Sequence, residues 1–408
     1  MAELLPGLSQ LRLPPMFRVR QRFDGPLVAD VAAAIRAAVA TQTIQAGQTV
    51  AVAVGSRGIA NIAIAVKTLV AALKEKGATV FIVPAMGSHG GGTADGQRDV
   101  LARLGVTEDF IGAPIRSCMD VVKIGETDGV DVFMDQTAHR DADLIVPIAR
   151  VKPHTGFRGR YESGLCKMLA IGLAKHIGCS RIHRGGYDPF PTLIPAAAQI
   201  AIDTGKIGFA VALIENAHEQ TAHVEAVPAA RIMAREPELL DLAKSLMPRL
   251  LLPEIDVLVV DEIGKDISGV GMDTNVTGRG LNGPIAGFTG PKIGRIVVLG
   301  LTEKTHGNAV GIGQADIITE RLFQSIDRHV TYMNVLTSGS LANARIPVAL
   351  ASDAEAILGA ASCVPGVAAA DARIVRIKNT LHLDEIAVSK NLLASVRAIP
   401  GCEILGPV

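Results

Sequence analysis

The sequence is poor in aromatic residues and carries no surplus of either charge. Of its 408 residues, 3% are aromatic and none is Trp, while 40 Lys and Arg balance 40 Asp and Glu. A nucleic-acid or anionic-membrane partner requires an excess of basic residues, so the zero formal net charge argues against both. The absence of Trp argues against an aromatic platform for a base or sugar ring, leaving backbone groups, Arg and His to hold a ligand.

Long uninterrupted apolar segments are also missing, although the mean hydropathy is +0.34. The uncharged run Ala37–Ser56 is broken by Thr and Gln residues, whereas a membrane-spanning helix needs about 20 mostly apolar residues. The first residues, MAELLPGLSQ, do not show the basic-then-apolar order of a signal peptide. We therefore expect a soluble, cytoplasmic protein with no membrane partner.

The aliphatic residues that dominate the chain follow a strand–helix–strand order. Thr49–Val54 and Thr79–Val83 are continuous apolar runs, and between them apolar residues recur at helical intervals from Ile59 to Leu73. Neither run alternates with polar residues, as is typical of parallel strands covered by helices on both faces. The sequence therefore predicts an α/β protein of two α/β domains, the first with a mainly parallel, doubly wound sheet.

A domain boundary is predicted near residue 250. Pro248 and Pro253 flank a short connector, and the apolar run Glu254–Val260 then begins a new strand. We expect an N-terminal domain over 1–250 that carries the cofactor-binding and catalytic motifs, and a C-terminal domain over 251–408 that closes over an inter-domain cleft holding the active site. In the second domain a helix is predicted near Ala315–Ile326.

Three loops that follow predicted strands carry the residues suited to chemistry. The first is Gly55–Gly58 with Arg57, the second surrounds His89 with glycines, and the third runs from Val151 to Lys167 with His154 near its start. Ligands of open α/β sheets bind beyond the carboxyl ends of the strands. Histidine exchanges protons near neutral pH, so these loops indicate acid/base chemistry on an anionic substrate.

Several common sites have no support in the sequence. No P-loop, GxGxxG fingerprint or GxSxG elbow is present, and the five cysteines include no CxxC pair, which predicts reduced thiols. Cys166, Cys179 and His183 do not have the spacing of a compact zinc site. Arg57 and Arg158 could also be ordinary surface arginines.

The ordered motifs between Val50 and Gly186 resemble the lactate racemase family, the nickel-pincer-nucleotide-dependent 2-hydroxyacid racemases and epimerases. The matching segments are GSRG, MGSHGGGT, KPHTG and the Ser163–Lys167 frame, with a His sixteen residues after the Lys. The resemblance implies roles for single positions: Arg57 holds the substrate carboxylate, His89 and His154 are the two acid/base residues, Lys167 tethers the cofactor within a frame that includes Ser163, Gly164 and Gly172, and His183 binds nickel.

The chain also departs from the family pattern. Val54 stands where an acidic residue usually precedes the substrate Arg, and Leu165–Cys166 replaces Gly–Arg before the Lys. These differences predict a divergent member, and they bear on the identity of the substrate more than on that of the cofactor. We expect Arg158 to contribute to cofactor binding among several basic residues of these loops. Lys265, in the Gly-rich stretch of the second domain, is expected to contact substrate, with a turn-rich connecting loop as the alternative.

The resemblance implies that the chain inverts the C2 centre of a 2-hydroxycarboxylate by hydride transfer to and from a nickel-pincer nucleotide, a pyridinium thioamide/thiocarboxylate mononucleotide with nickel, tethered to Lys167. It further implies transient contact with cofactor-synthesis enzymes. Two alternatives stay open: a cofactor-free isomerase or lyase that uses His89 and His154 directly, and a non-enzymatic organic-anion-binding protein. Substrate identity and oligomeric state do not follow from the sequence.

Overall fold

The computed structural model describes residues 11–56, 58–280, 283–284 and 287–408. The strands, in chain order, are β1 (Met16–Gln21), β2 (Thr49–Val54), β3 (Thr79–Pro84), β4 (Val121–Thr127), β5 (Val130–Asp135), β6 (Leu144–Arg150), β7 (Phe209–Glu215), β8 (Thr221–Pro228), β9 (Glu254–Val260), β10 (Arg279–Gly280), β11 (Gly283–Pro284), β12 (Lys292–Val298), β13 (Ile317–Thr319), β14 (Val348–Leu350), β15 (Ile374–Ile377), β16 (Glu385–Ser389) and β17 (Cys402–Pro407).

The α-helices of these residues are α1 (Val31–Ala40), α2 (Ile62–Glu75), α3 (Ala94–Arg103), α4 (Glu108–Ile111), α5 (Gln136–Asp141), α6 (Leu165–Lys167), α7 (Lys175–His183), α8 (Phe190–Asp203), α9 (Ile232–Leu246), α10 (Thr274–Thr277), α11 (Glu320–Gln324), α12 (Arg328–Ser338), α13 (Asp353–Ser362) and α14 (Leu393–Ala398). A π-helical turn, Met168–Gly172, continues α6. None of the helices in the described residues is long and apolar enough to cross a membrane.

The chain divides into two compact units. One comprises Gly25–Met247, and the other comprises Pro248–Val408 together with the amino-terminal segment up to Asp24. The amino-terminal segment joins the second unit because β1 pairs antiparallel with β16 and β17, near the other end of the chain. The predicted first domain, 1–250, thus includes a strand that lies in the other unit.

The Gly25–Met247 unit contains the predicted doubly wound sheet. Its five strands run in the order β3-β2-β6-β7-β8, and only the β7–β8 pair is antiparallel. Alternate residues of β2 enter opposite cores: Val50, Val52 and Val54 pack with α1 and α2, while Ala51 and Ala53 face the core formed with α8 and α9. The absence of alternation in the sequence therefore reflects burial on both faces, and the α/β fold class is confirmed.

The second unit contains an eight-stranded mixed sheet in the order β14-β13-β12-β9-β15-β16-β1-β17. Its central strand β9 pairs parallel with β12 and β15, and helix α13 packs on one face. The predicted helix near Ala315–Ile326 is wrong in its first part. Ile317–Thr319 forms β13 because it pairs with both β12 and β14, and α11 begins only at Glu320.

Candidate functional site

The candidate residues of the Gly25–Met247 unit follow three adjacent parallel strands. β2 is followed by Ser56, β3 by the loop that holds His89, and β6 by the loop that holds His154. The carboxyl ends of parallel strands meet at one edge of a sheet, where such folds bind ligands. Arg57, the predicted carboxylate-binding residue, lies outside the described residues.

The His89 side chain is exposed, while the backbone of its loop is fixed by hydrogen bonds. Its Nδ1 atom lies 2.5 Å from Ser56 Oγ. The buried Gln97 amide donates to the carbonyl oxygens of Gly87 at 2.8 Å and of His89 at 3.3 Å. The Gly87 amide donates to the Gly172 carbonyl at 3.1 Å, so this loop is attached to the predicted cofactor-tethering segment.

The His154 loop is organised around a buried carboxylate. Glu162, which is 1% exposed, accepts a hydrogen bond of 2.7 Å from the His154 amide. Lys244 Nζ lies 3.2 Å from the other oxygen of Glu162. Arg158 donates to the carbonyl oxygens of His154 and Phe157 at 2.5 and 3.1 Å and lies 3.7 Å from Glu162. Arg158 therefore fixes the shape of the loop, and its predicted role toward a cofactor stays a prediction.

The predicted tethering residue Lys167 ends α6 and is half-buried. The loop before it is pinned on both sides, since Ser163 exchanges two backbone hydrogen bonds with Lys152 and the buried Glu236 accepts the Cys166 amide at 2.6 Å. Gly172 ends the following turn, where an added Cβ atom would lie 2.7 Å from the Ala85 carbonyl oxygen. Glycine at this position thus allows the turn to pass against the end of β3.

His183, the predicted nickel ligand, lies in the last turn of α7. Its Nδ1 atom is 2.7 Å from the Cys179 carbonyl oxygen and 3.5 Å from the Cys179 thiol. A carbonyl only accepts, so Nδ1 carries a proton, and in the neutral ring Nε2 then presents a lone pair, the form of histidine that binds a metal.

Cys179 and His183 influence each other's ionisation in opposite senses. Burial lowers the pKa of His183 and raises that of Cys179. Hydrogen bonding and charge attraction between the two side chains outweigh burial, so the pKa of His183 is raised and that of Cys179 lowered. No group of three or more His, Cys, Asp or Glu side chains capable of holding a metal occurs in the described residues.

Three aromatic side chains lie beside two of these histidines. Phe157 lies 4.6 Å from His154 and Phe190 lies 5.0 Å from His183, measured between ring centroids. Tyr187 contacts both histidines, at 5.6 and 6.4 Å. This aromatic cluster of Phe157, Tyr187 and Phe190 was not predicted from the sequence, because Phe157 and Tyr187 stand in separate loops.

A fully buried ion pair connects the elements beneath these loops. Lys175 Nζ lies 2.8 Å from Asp135 and donates to the Pro84 carbonyl at 2.5 Å and to Gln97 at 3.3 Å. Both charged side chains are 0% exposed. Lys175 thereby joins the end of β3, the start of α3 and the end of β5 to the amino end of α7. The sequence analysis did not predict this role of Lys175. Its neighbours His176 and Ile177 are exposed, so the burial of Lys175 depends on its tertiary contacts.

Lys265 lies in the other unit, in the loop after β9. Its ammonium donates to the Gly269 carbonyl at 2.8 Å, and its amide donates to Thr305 Oγ1 at 3.1 Å. The first contact lies within the loop, and the second joins it to the segment that follows β12. The predicted contact of Lys265 with substrate stays a prediction.

No protein-family model and no curated protein matches this sequence. The structure of the lactate racemase apoprotein from Thermoanaerobacterium thermosaccharolyticum is similar, with a TM-score of 0.53 over 93% of this chain and 96% of that chain at 13% identity. The chain has the fold of lactate racemase. A protein from Thermotoga maritima is similar over 68% of this chain and 72% of that chain, with a TM-score of 0.48 and 13% identity. The lactate racemase fold agrees with the family resemblance of the motifs, and it leaves substrate, cofactor and mechanism to be tested.

Proposed function

We propose that the chain is a racemase or epimerase that inverts the C2 centre of a 2-hydroxycarboxylate, with a nickel-pincer nucleotide tethered to Lys167. The proposal is supported by contacts between the segments that carry His89, His154, Lys167 and His183, in a chain with a lactate racemase fold. The Gly87 amide of the His89 loop donates to the Gly172 carbonyl, at the end of the turn that follows Lys167. Tyr187 contacts both His183 and His154.

The donor set fits the proposed cofactor. His183 offers one lone pair at Nε2, and the described residues provide no complete metal site of their own. A nickel ion held by His183 therefore needs further ligands from a bound group, and thiolate-type sulfurs of a cofactor suit nickel. Lys167 offers the amine that a covalent tether requires. The chemistry that the cofactor supplies when bound is the reversible acceptance of hydride.

Hydride chemistry is favoured because the α-hydrogen of a 2-hydroxycarboxylate is barely acidic. The adjacent carboxylate is already negative, so a histidine would need an implausible pKa shift to remove that hydrogen as a proton. Removal of hydride only requires that a histidine take the hydroxyl proton, which is within the range of an imidazole. His89 and His154 lie in loops that present them for this exchange.

The proposal is tested by producing the full chain with and without the cofactor-synthesis enzymes, followed by intact-mass and nickel analysis. We expect a mass increment on Lys167, about one nickel per chain and interconversion of the enantiomers of a 2-hydroxyacid. Lys167→Ala should remove the increment and the activity, whereas Lys67→Ala, on α2, should retain both.

If wild-type protein produced with the cofactor-synthesis enzymes carries neither a mass increment nor nickel, the proposal is wrong. Activity that survives in Lys167→Ala would instead favour the cofactor-free isomerase or lyase. Binding of a 2-hydroxyacid without turnover, lost neither in Lys167→Ala nor in His89→Ala, would favour the organic-anion-binding protein.

A further inference from the structure

The segment from His154 to Lys167 is attached at three points to one helix, α9. The contacts are those of the Tyr161 hydroxyl with the Met233 carbonyl at 2.7 Å, of Glu162 with Lys244 Nζ at 3.2 Å, and of the Cys166 amide with Glu236 at 2.6 Å. An α-helix rises about 1.5 Å per residue, so these contacts spread over about 16 Å of α9. One helix thus supports both the histidine and the lysine of the proposed reaction, through separate contacts.

The middle contact leads directly to His154, because the Glu162 carboxylate is shared. Its Oε2 atom accepts the His154 amide at 2.7 Å, and its Oε1 atom faces Lys244 Nζ. The Glu162 side chain is 0% exposed, whereas that of Lys244 is 39% exposed. A hydrogen bond to a charged group is shorter and stronger than one between neutral groups. Through one buried carboxylate, Lys244 therefore anchors the backbone of a residue that is proposed to exchange the substrate proton.

Arg158 does not replace Lys244 in this role. Its guanidinium donates to the carbonyl oxygens of His154 and Phe157 at 2.5 and 3.1 Å and lies 3.7 Å from Glu162. These partners belong to the loop that contains Arg158, so Arg158 ties the loop to itself, while Lys244 ties it to α9. The position of His154 relative to α9 therefore depends on the Lys244 contact.

The contact near the other end of α9 serves the Lys167 segment. Glu236 accepts the amide of Cys166 in α6, and Lys167 ends that helix. At about 1.5 Å per residue, Glu236 and Lys244 are about 12 Å apart along α9. Loss of the Lys244 contact should therefore leave the tethering segment in place.

We propose that Lys244 is a positioning residue of the reaction, which holds His154 in place through Glu162 and does not determine cofactor attachment at Lys167. This inference rests on the proposed function, because it assigns the role of a contact within the same site. The proton transfers remain those of the histidines, and Lys244 takes part in none of them. Because the Lys244 side chain is partly exposed, its substitution should leave the fold intact.

Removal of the Lys244 ammonium should slow the reaction without loss of cofactor. In full-length protein produced with the cofactor-synthesis enzymes and assayed with each enantiomer of lactate and malate, we expect Lys244→Met to lower kcat about 10- to 100-fold, since a misplacement of about 1 Å can cost about 10²-fold. The mass increment on Lys167 and the nickel content should equal those of wild type. Lys244→Arg should restore most of kcat because Arg retains the charge, and Asp241→Asn, exposed on the same helix, is the control. An unchanged kcat in Lys244→Met, or a loss of nickel that matches the loss of activity, would overturn the inference.

A double-mutant cycle tests whether Lys244 acts through Glu162. Glu162→Gln retains an oxygen that can accept the His154 amide but loses the charge that attracts Lys244. We expect the double variant, Lys244→Met with Glu162→Gln, to have the kcat of Glu162→Gln alone, since the effects of residues in one contact are not additive. If the two single losses multiply instead, Lys244 acts by another route and the inference is wrong.

Hydrogen exchange of the full-length apoprotein gives a readout that does not depend on activity. In Lys244→Met we expect faster exchange in peptides that contain His154 and Gly159, whose amides donate to Glu162, and unchanged exchange at Cys166. Equal exchange of the His154 peptides in wild type and variant would contradict the inference. If the loaded wild type turns over no 2-hydroxyacid, the proposed function fails, and the exchange rates still decide whether Lys244 holds the loop.

Discussion

Two buried ionisable groups contact the segment Leu165–Lys175, which contains Lys167. They differ greatly in how many hydrogen-bond and charge partners they have. At its far end, Lys175 is paired with Asp135 and bonded to the Pro84 carbonyl and Gln97. At its near end, Glu236 accepts the Cys166 amide through one oxygen, while the other has no hydrogen-bond partner among the described residues. A buried ion is tolerated when its partners compensate for lost hydration, and otherwise its charge is suppressed.

The missing hydrogen-bond partner bears directly on the ionisation of Glu236. Burial raises the pKa of Glu236 from 4.5 to about 7, and the hydrogen bonds from Cys166 and Leu165 offset this only in part. The same segment is thus anchored by a buried ion pair on one side and, on the other, by a carboxyl whose charge depends on pH.

The largest effect is expected from removal of the lysine. Lys175→Met leaves the buried Asp135 charge uncompensated, which should lower the free energy of unfolding by about 3–5 kcal/mol. Urea unfolding followed by circular dichroism measures this, since the chain has no Trp. Asp135→Asn added to Lys175→Met removes the orphaned charge and should recover more than half of the loss. A double variant as unstable as the single one would show that the charge pair is not the cause.

The second largest effect is expected from substitution of Glu236, and its effect on the free energy of unfolding depends on pH. Because the folded state raises the pKa of Glu236, the associated stability is present below pH 4.5 and is lost as the pH rises through about 7. Glu236→Gln cannot ionise, so between about pH 4 and about pH 9 its free energy of unfolding should gain about 3 kcal/mol relative to wild type. Glu238→Gln, exposed on the same helix, is the control. Parallel pH curves for Glu236→Gln and wild type would refute the shift.

The smallest effect is expected from an ion pair at the surface. Arg36 and Glu75 lie 2.6 Å apart, but about half of each side chain is exposed, so water and salt screen their attraction. Arg36→Ala should leave the urea midpoint within experimental error of wild type. A loss comparable to that of Lys175→Met would mean that burial does not distinguish the two pairs.

The sequence predicted the elements that carry the site because their signals are local. The apolar runs of β2 and β3 and the helical spacing between them identified a parallel sheet, and the loops of His89 and His154 followed from the strand ends. The sequence could not place β1, whose partners β16 and β17 lie more than 360 residues away in the chain. It also assigned Ile317–Thr319 to a helix, since only pairing with β12 and β14 makes this segment a strand.

The sequence by itself determined which residues are available for chemistry: two loop histidines, a lysine and a third histidine at a fixed interval, in a chain without surplus charge. The tertiary structure alone decided how they are held, because each decisive contact joins residues that lie apart in the chain or depends on the fold of a loop. Arg158 donates a hydrogen bond to the His154 carbonyl within its own loop, and Lys175 pairs with Asp135. The groups that face Nδ1 of His89 and of His183, the Ser56 hydroxyl and the Cys179 carbonyl, are likewise placed by the fold.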